Sequence, residues 1–142
     1  MKIMKYLLIS LSIIFSHLFA VCDSDYTELS GECYYTSDLD VLVALSGQTM
    51  DYAAVLSICG NTGIDWSNNR IVGISCYADE LAGFSIPPEI GNLTELIMLQ
   101  LFQQNNLEGT IPSSIGNLTK LTAIYIKNSK ITGTIPSEIG NL

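Results

Sequence analysis

Apolar residues recur at a fixed spacing along the C-terminal half of the chain. The landmark isoleucines Ile86, Ile111 and Ile135 follow one another after 25 and then 24 residues. Between them, the apolar positions of two successive copies are Leu93, Leu96, Leu99, Leu101 and Leu107, and then Leu118, Leu121, Ile124, Ile126 and Ile131. A unit of this size cannot bury its apolar side alone, so copies must stack on their neighbours. The pattern predicts stacked repeats with a shared core.

Each copy contains a pair of apolar residues two positions apart, which predicts a short strand. Leu99 and Leu101 would place both side chains on one face, and the next copy repeats this spacing. One period earlier the same arithmetic reaches Cys76, which predicts a degenerate first strand over Ile71 to Tyr77. The strands should lie side by side in a parallel sheet.

A short motif follows each strand, as LEGTIP at Leu107 to Pro112 and as ITGTIP at Ile131 to Pro136. It resembles the Leu-x-Gly-x-Ile-Pro segment of plant-type leucine-rich repeats, and the resemblance covers about residues 69–142. It implies an α/β fold, namely a right-handed leucine-rich repeat solenoid with a parallel β-sheet. The convex side would consist of short 3-10 helices and loops, and the N-terminal cap would be helical and disulfide-linked.

The repeats occupy residues 71–142 in this interpretation, as about three copies of which the last is incomplete. The chain stops at Leu142, within the third consensus segment. A stack of repeats needs a polar end to cover its last apolar layer. We therefore expect a truncated form or a fragment of a longer protein.

Residues 1–20 have the pattern of a secretory signal peptide. Lys2 and Lys5 precede an apolar run from Tyr6 to Ala20. A membrane anchor is disfavoured because the run is shorter than the roughly 20 residues of a spanning helix. A lipoprotein site at Cys22 is disfavoured because a valine precedes it. The prediction is a secreted or cell-surface protein.

Residues 21–70 are expected to form the N-terminal capping region that the resemblance implies. Ser37 and Asp38 can cap a helix, and Gly47 is a natural stop for it. Residues 50–58 are apolar and fit either a second helix or an extended cover. Trp66, the only tryptophan, is expected to pack between this region and the first repeat rather than to bind a ligand.

The four cysteines, Cys22, Cys33, Cys59 and Cys76, predict two disulfides, because their number is even and the compartment is oxidising. Three pairings are possible. Sequence order favours Cys22 with Cys33 and Cys59 with Cys76, since both close short loops. A zinc site is disfavoured because the sequence has no close Cys-x-x-Cys pair.

The charge balance narrows the possible functions. The chain has 14 acidic and 6 basic residues, with a net charge of −8, and its single histidine, His17, lies in the predicted signal peptide. Binding to nucleic acids and anionic membranes is driven by Lys and Arg clusters, so the acidic balance disfavours both. Loss of His17 removes the commonest general base and metal ligand. We expect no enzyme, no catalytic residue, no cofactor and no metal.

Carboxylates alone do not change this expectation. Asp23 and Asp25 lack the other oxygen ligands of a calcium loop. Four glutamates occupy repeat positions that normally face solvent: Glu89, Glu95, Glu108 and Glu138.

The candidate ligand face consists of the strand residues that alternate with the inward leucines and therefore point out from the concave side of the sheet. Its members are Ser75, Tyr77, Met98, Gln100, Phe102, Tyr125 and Lys127, with Gly73 and Ala123 completing the columns. Exposed aromatic residues on such a face are typical of recognition surfaces. The alternative is a decaying repeat array that merely tolerates them.

The resemblance implies a non-enzymatic extracellular recognition module that binds a protein, peptide or glycan through the concave face. The alternatives are an inhibitor of a secreted polysaccharide-degrading enzyme and a structural or adhesive surface protein. We expect no nucleic-acid partner, and membrane contact only through a missing C-terminal part. Asn92 and Asn117 lie in glycosylation sequons, although the same GNLT string is also the repeat consensus.

Overall fold

The computed structural model describes residues 22–29, 32–46, 59–60, 63–77 and 85–142. The predicted signal peptide, the helix stop at Gly47 and the apolar segment 50–58 lie outside these residues. Within them, no helix has the length and apolarity that crossing a membrane requires.

The described N-terminal part consists of a hairpin and a helix. Strand β1 (Tyr26–Leu29) pairs antiparallel with β2 (Glu32–Tyr35), and helix α1 (Thr36–Ser46) follows directly. The apolar side of α1 is buried in the core through Val41, Leu42 and Leu45. The helix therefore contributes its apolar side to the shared core.

The helix-capping role predicted for Ser37 and Asp38 is wrong. The helix begins at Thr36, so Asp38 lies inside its first turn rather than before it. Its carboxylate is buried and accepts hydrogen bonds from the guanidinium of Arg70 and the backbone N–H of Ile71. Asp38 therefore joins α1 to the sheet, because a buried carboxylate needs charged or N–H partners.

The main sheet has four strands in the order β3-β4-β5-β7. Strands β4 (Arg70–Tyr77), β5 (Met98–Phe102) and β7 (Ala123–Lys127) are parallel, whereas β3 (Ile64–Ser67) pairs antiparallel with β4. The two residues between β3 and β4 are asparagines with φ of 50° and 62°, and positive φ at both positions is what a tight hairpin turn requires. The predicted parallel sheet is confirmed, and β3 is an addition to it.

Short 3-10 helices form the return path from each parallel strand to the next repeat. They span Pro88–Asn92, Ser113–Asn117 and Ser137–Asn141, each after an Ile-Pro pair. Two further short strands follow β5 and β7 along the chain, namely β6 (Glu108–Gly109) and β8 (Lys130–Ile131). They pair in parallel and form a second sheet. The repeat therefore makes backbone contacts with its neighbour at more than one point of its circuit.

The core lies between the main sheet and the 3-10 helices. Leu99 and Leu101 are fully buried, and β5 alternates between buried and half-buried residues along its length. The core also holds the following apolar residues of the repeats: Ile86, Ile90, Leu93, Leu96, Leu107, Ile115, Leu118 and Leu121. The predicted inward residues of the next copy, Ile124, Ile126 and Ile131, are half-buried and pack against this core.

Two disulfides tie the N-terminal part together. Cys22 is bonded to Cys33, with an S–S distance of 2.01 Å and a Cα–Cα distance of 5.7 Å. Cys59 is bonded to Cys76, which is buried on β4. The second bond joins the chain before the sheet directly to the first parallel strand.

Candidate ligand-binding face

The register of the parallel strands brings the candidate residues into columns. Tyr77 lies opposite Phe102, which lies opposite Lys127. A second column contains Ser75, Gln100 and Tyr125, and a third contains Gly73, Met98 and Ala123. We refer to these nine residues as the aromatic sheet face. The columns have this order because equivalent positions of successive repeats are paired one period apart.

Three aromatic rings run diagonally across this face. The ring centroids of Tyr77 and Phe102 are 5.3 Å apart with an interplanar angle of 27°, which is a stacked arrangement. Phe102 and Tyr125 follow at 6.0 Å and 34°. Tyr77 and Tyr125 remain 48% and 43% exposed, respectively. The rings therefore form one continuous row, which stays open to solvent across all three parallel strands.

Gln100 lies at the centre of the face and links two neighbouring side chains. Its Oε1 accepts hydrogen bonds from the hydroxyl of Ser75 at 3.1 Å and from that of Tyr77 at 3.3 Å. Because the oxygen is already used, the amide nitrogen of Gln100 is the group that this residue can offer to a ligand. The polar centre of the face is thus ordered before any ligand arrives.

The two ends of the face carry opposite charges. Lys127 on β7 is exposed, and its Nζ lies 5.6 Å from the centroid of the Phe102 ring. Asp65 on β3 lies over Gly73, because a Cβ built on this glycine would be 2.6 Å from Oδ2 of Asp65. Glycine at position 73 therefore allows the carboxylate to cover that corner. The sequence pattern did not include Asp65, because β3 was not predicted.

Turn residues after β5 hold the strand end in place. Gln104 is buried, and its Nε2 donates to the backbone oxygen of Phe102 at 3.1 Å. The N–H of Gln103, a residue with φ of 55°, donates to the oxygen of Lys127 at 3.0 Å. These bonds fix the backbone that carries Phe102 and Lys127, so the aromatic sheet face rests on a firm support.

Two ion pairs join charged groups away from this face, Arg70 with Asp38 and Lys120 with Glu95. The guanidinium of Arg70 loses solvation on burial, which lowers its pKa, but its hydrogen bond and attraction to Asp38 outweigh this and raise the pKa overall. The hydrogen bond from Lys120 lowers the pKa of Glu95, and the positive charges of Lys120 and Arg70 add to this effect. Both ion pairs connect segments that are distant in sequence, so their role is structural.

The structure also locates the remaining candidate residues. Asn92 and Asn117 are exposed near the ends of their 3-10 helices, and their glycosylation stays a prediction. Glu89 and Glu108 are exposed, and Glu138 is half-buried. Within the described ranges, no three His, Cys, Asp or Glu side chains are grouped as metal ligands would be.

Comparison with known proteins finds leucine-rich repeats in this chain. The Leucine Rich Repeat family model matches residues 92–118 and 120–142. Leucine-rich repeat protein FLOR 1 of Arabidopsis thaliana is 31% identical over 129 residues, which cover 89% of this chain and 39% of the relative. The chain therefore spans well under half the length of that relative.

One solved structure supports the fold. A crystal structure of PEPR1–AtPEP1 matches 75% of this chain and 16% of its own, with 23% identity and a TM-score of 0.52. The BIR3–SERK2 complex from Arabidopsis thaliana matches 70% of this chain and 66% of its own, with 24% identity and a TM-score of 0.34. The chain carries leucine-rich repeats of the plant type, which confirms the resemblance seen in its motifs.

Proposed function

We propose that this chain is a non-enzymatic extracellular recognition module, and that the aromatic sheet face binds a protein, peptide or glycan. In this proposal, residues 71–142 form a right-handed solenoid whose concave side is the main sheet. Residues 21–70 cap its N-terminal end, and residues 1–20 direct secretion. The two disulfides support an extracellular location, because such bonds persist in oxidising compartments.

The row formed by Tyr77, Phe102 and Tyr125 is the observation that carries this proposal. Large aromatic side chains dominate binding energy at protein interfaces, and a contiguous row is more informative than scattered exposed residues. The row lies on strands whose opposite side is packed in the core, so these residues would lose little conformational freedom on binding. The fold match to PEPR1–AtPEP1, whose name pairs two components, is compatible with a binding role for these repeats.

Selection from defined libraries tests the proposal with the full secreted chain. The probes are a phage-displayed random peptide library and an array of neutral and acidic oligosaccharides. The face variant is Tyr77→Ser combined with Phe102→Ser, and the control is Ile135→Ser. Ile135 is 72% exposed and lies outside the main sheet, so its replacement also removes an exposed apolar side chain.

We expect the strongest binders of the wild-type chain to bind the face variant at least about tenfold more weakly, as loss of a central aromatic residue commonly causes. The Ile135→Ser chain should bind like wild type. Thermal unfolding of each variant verifies that it is folded. Binders that do not distinguish the face variant from wild type would show that recognition uses another surface.

A further inference from the structure

We infer that the aromatic sheet face selects a peptide segment in which a carboxylate lies beside an apolar side chain, and that Lys127 receives the carboxylate. The inference rests on the proposed function and names the ligand class of the same face. The orientation of the rings and the charges at the two ends of the face favour a peptide over a glycan.

The ring orientation disfavours a glycan. Sugars bind aromatic residues by laying their C–H groups on an open ring face, where the negative quadrupole potential lies. Here the ring of Tyr77 stacks on the ring of Phe102. The ring of Tyr125 and the ammonium group of Lys127 also lie close to the Phe102 ring. At Phe102, the centre of the row, this arrangement leaves mainly the ring edge available to a ligand. This edge carries the positive end of the quadrupole and favours anionic oxygen atoms.

The column next to the aromatic row suits an apolar side chain. It consists of Gly73, Met98 and Ala123, of which Met98 and Ala123 are half-buried. Met98 and Ala123 are shorter or more adaptable than the aromatic residues beside them, so an apolar side chain can pack against them, whereas the Gly73 end of the column lies under Asp65. Gln100, between this column and the row, can donate its amide N–H to a peptide carbonyl.

The charges of the face give the ligand a direction. Among the described residues the ion pairs are Arg70–Asp38 and Lys120–Glu95, so Lys127 has no carboxylate partner there. Asp65 lies three strands from Lys127 across the sheet, about 14 Å at the usual strand spacing, and its column is four residues away along the strand direction. A ligand carboxylate is attracted at the Lys127 end and repelled at the Asp65 end. It is therefore expected at β7.

A random heptapeptide phage library and the oligosaccharide array are again the probes, now with charge variants. Lys127→Gln removes the charge, and Lys127→Arg keeps it. Lys130→Gln is the matched control, because Lys130 is an exposed lysine on the short second sheet. The best peptide is also synthesised with its acidic residue changed to the amide, or with an amidated C-terminus where the terminal carboxylate is the anion.

The inference predicts that selected peptides carry Asp, Glu or a terminal carboxylate beside an aliphatic or aromatic residue. Lys127→Gln should weaken binding about tenfold, and Lys127→Arg and Lys130→Gln should not. The acid-to-amide change in the peptide should weaken its binding to the wild-type chain about as much. It should have little further effect on binding to the Lys127→Gln chain, because two groups that interact directly have non-additive effects. Added salt should weaken only the charged combination.

Other results would overturn the inference in distinguishable ways. One such result is that the wild-type chain binds oligosaccharides but no peptides, and that the Tyr77→Ser, Phe102→Ser variant no longer binds these oligosaccharides. This result would refute the inference and leave the proposed function standing. Peptides that bind Lys127→Gln as well as wild type would do the same. The absence of any binder that depends on the aromatic sheet face, from either library, would refute both.

Discussion

The carboxylate of Asp38 accepts two hydrogen bonds from the guanidinium of Arg70, each 3.0 Å long, and a third of 2.8 Å from the N–H of Ile71. Asp38 is fully buried, and the guanidinium also lies over the ring of Tyr35, 4.0 Å from its centroid. One carboxylate thus connects α1 with the first parallel strand. The helix, the hairpin before it and the sheet are held in one arrangement by this contact.

Replacing Asp38 with alanine is predicted to lower the free energy of unfolding by about 3–5 kcal/mol, because it leaves Arg70 partly buried without its partner. Glu32→Ala is the control, since Glu32 is an exposed acidic residue at the start of β2. We expect it to cost less than about 0.5 kcal/mol. Urea unfolding measures both values, and equal losses would show that the buried pair contributes nothing special.

The glycine of the repeated IGNL string is predicted to be required wherever the next 3-10 helix packs against it. A Cβ on Gly91 would lie 2.7 Å from the backbone oxygen of Ser114, and one on Gly116 would lie 2.6 Å from the backbone oxygen of Glu138. Gly91→Ala or Gly116→Ala should therefore cost about 1–3 kcal/mol through overpacking.

Gly140 provides an internal control for these substitutions. It occupies the equivalent position of the third copy, yet a Cβ there meets nothing within 4 Å. Gly140→Ala should be neutral or slightly stabilising, because alanine restricts the unfolded chain more than glycine does. A comparison of the three unfolding midpoints tests the prediction. A similar loss at all three positions would point to a backbone requirement instead of inter-repeat packing.

Removal of the Cys59–Cys76 disulfide is predicted to be more damaging than removal of Cys22–Cys33. Both bonds close short loops, with sequence separations of 17 and 11, so the entropic terms are similar, at about 3 kcal/mol each. Cys76, however, is fully buried in the core, whereas Cys22 and Cys33 are half-buried. In thermal unfolding of the two double serine variants, the variant with Cys59→Ser and Cys76→Ser should therefore have the lower melting temperature. The opposite ranking would contradict the position of Cys76 in the core.

The ion pair between Lys120 and Glu95 is predicted to give a small, pH-dependent contribution to stability. Lys120 lowers the pKa of Glu95, so the contribution is present above the ordinary value of 4.5 and is lost as the pH falls through the lowered value. Glu95→Gln should slightly lower the melting temperature at neutral pH and low salt. It should have no such effect in strong acid or at high salt, because the pair is exposed. Glu89→Gln, at an exposed position, is the control. A loss that does not change with pH would assign the effect to packing instead of charge.

The repeat period made much of this structure predictable. Each repeat has its neighbour one period away, so the pairing of Leu99 with Ile124 and of Phe102 with Lys127 follows from the spacing alone. The alternation of side chains then separates core positions from the aromatic sheet face. No three-dimensional information is needed for either step.

Other features depend on contacts that a local pattern does not contain. Asp38 has the sequence context of a helix cap, but its partner Arg70 lies 32 residues further along the chain. Gln104 and Asn105 are both amide side chains in the turn after β5, and burial distinguishes them, since Gln104 is buried and Asn105 is exposed. The stacking of Tyr77 on Phe102 likewise depends on side-chain rotamers, which alignment in columns leaves open. The sequence pattern therefore does not contain the ring orientations on which the ligand class depends.

An NMR titration tests the central claim most directly. Backbone amide shifts of the labelled full chain are followed while the best selected peptide is added. Recognition by the aromatic sheet face predicts that the largest changes occur in β5 and β7, around Gln100, Phe102 and Lys127, and that the 3-10 helices Pro88–Asn92 and Ser113–Asn117 change little. The largest changes on those helices, with β5 and β7 unaffected, would contradict the account.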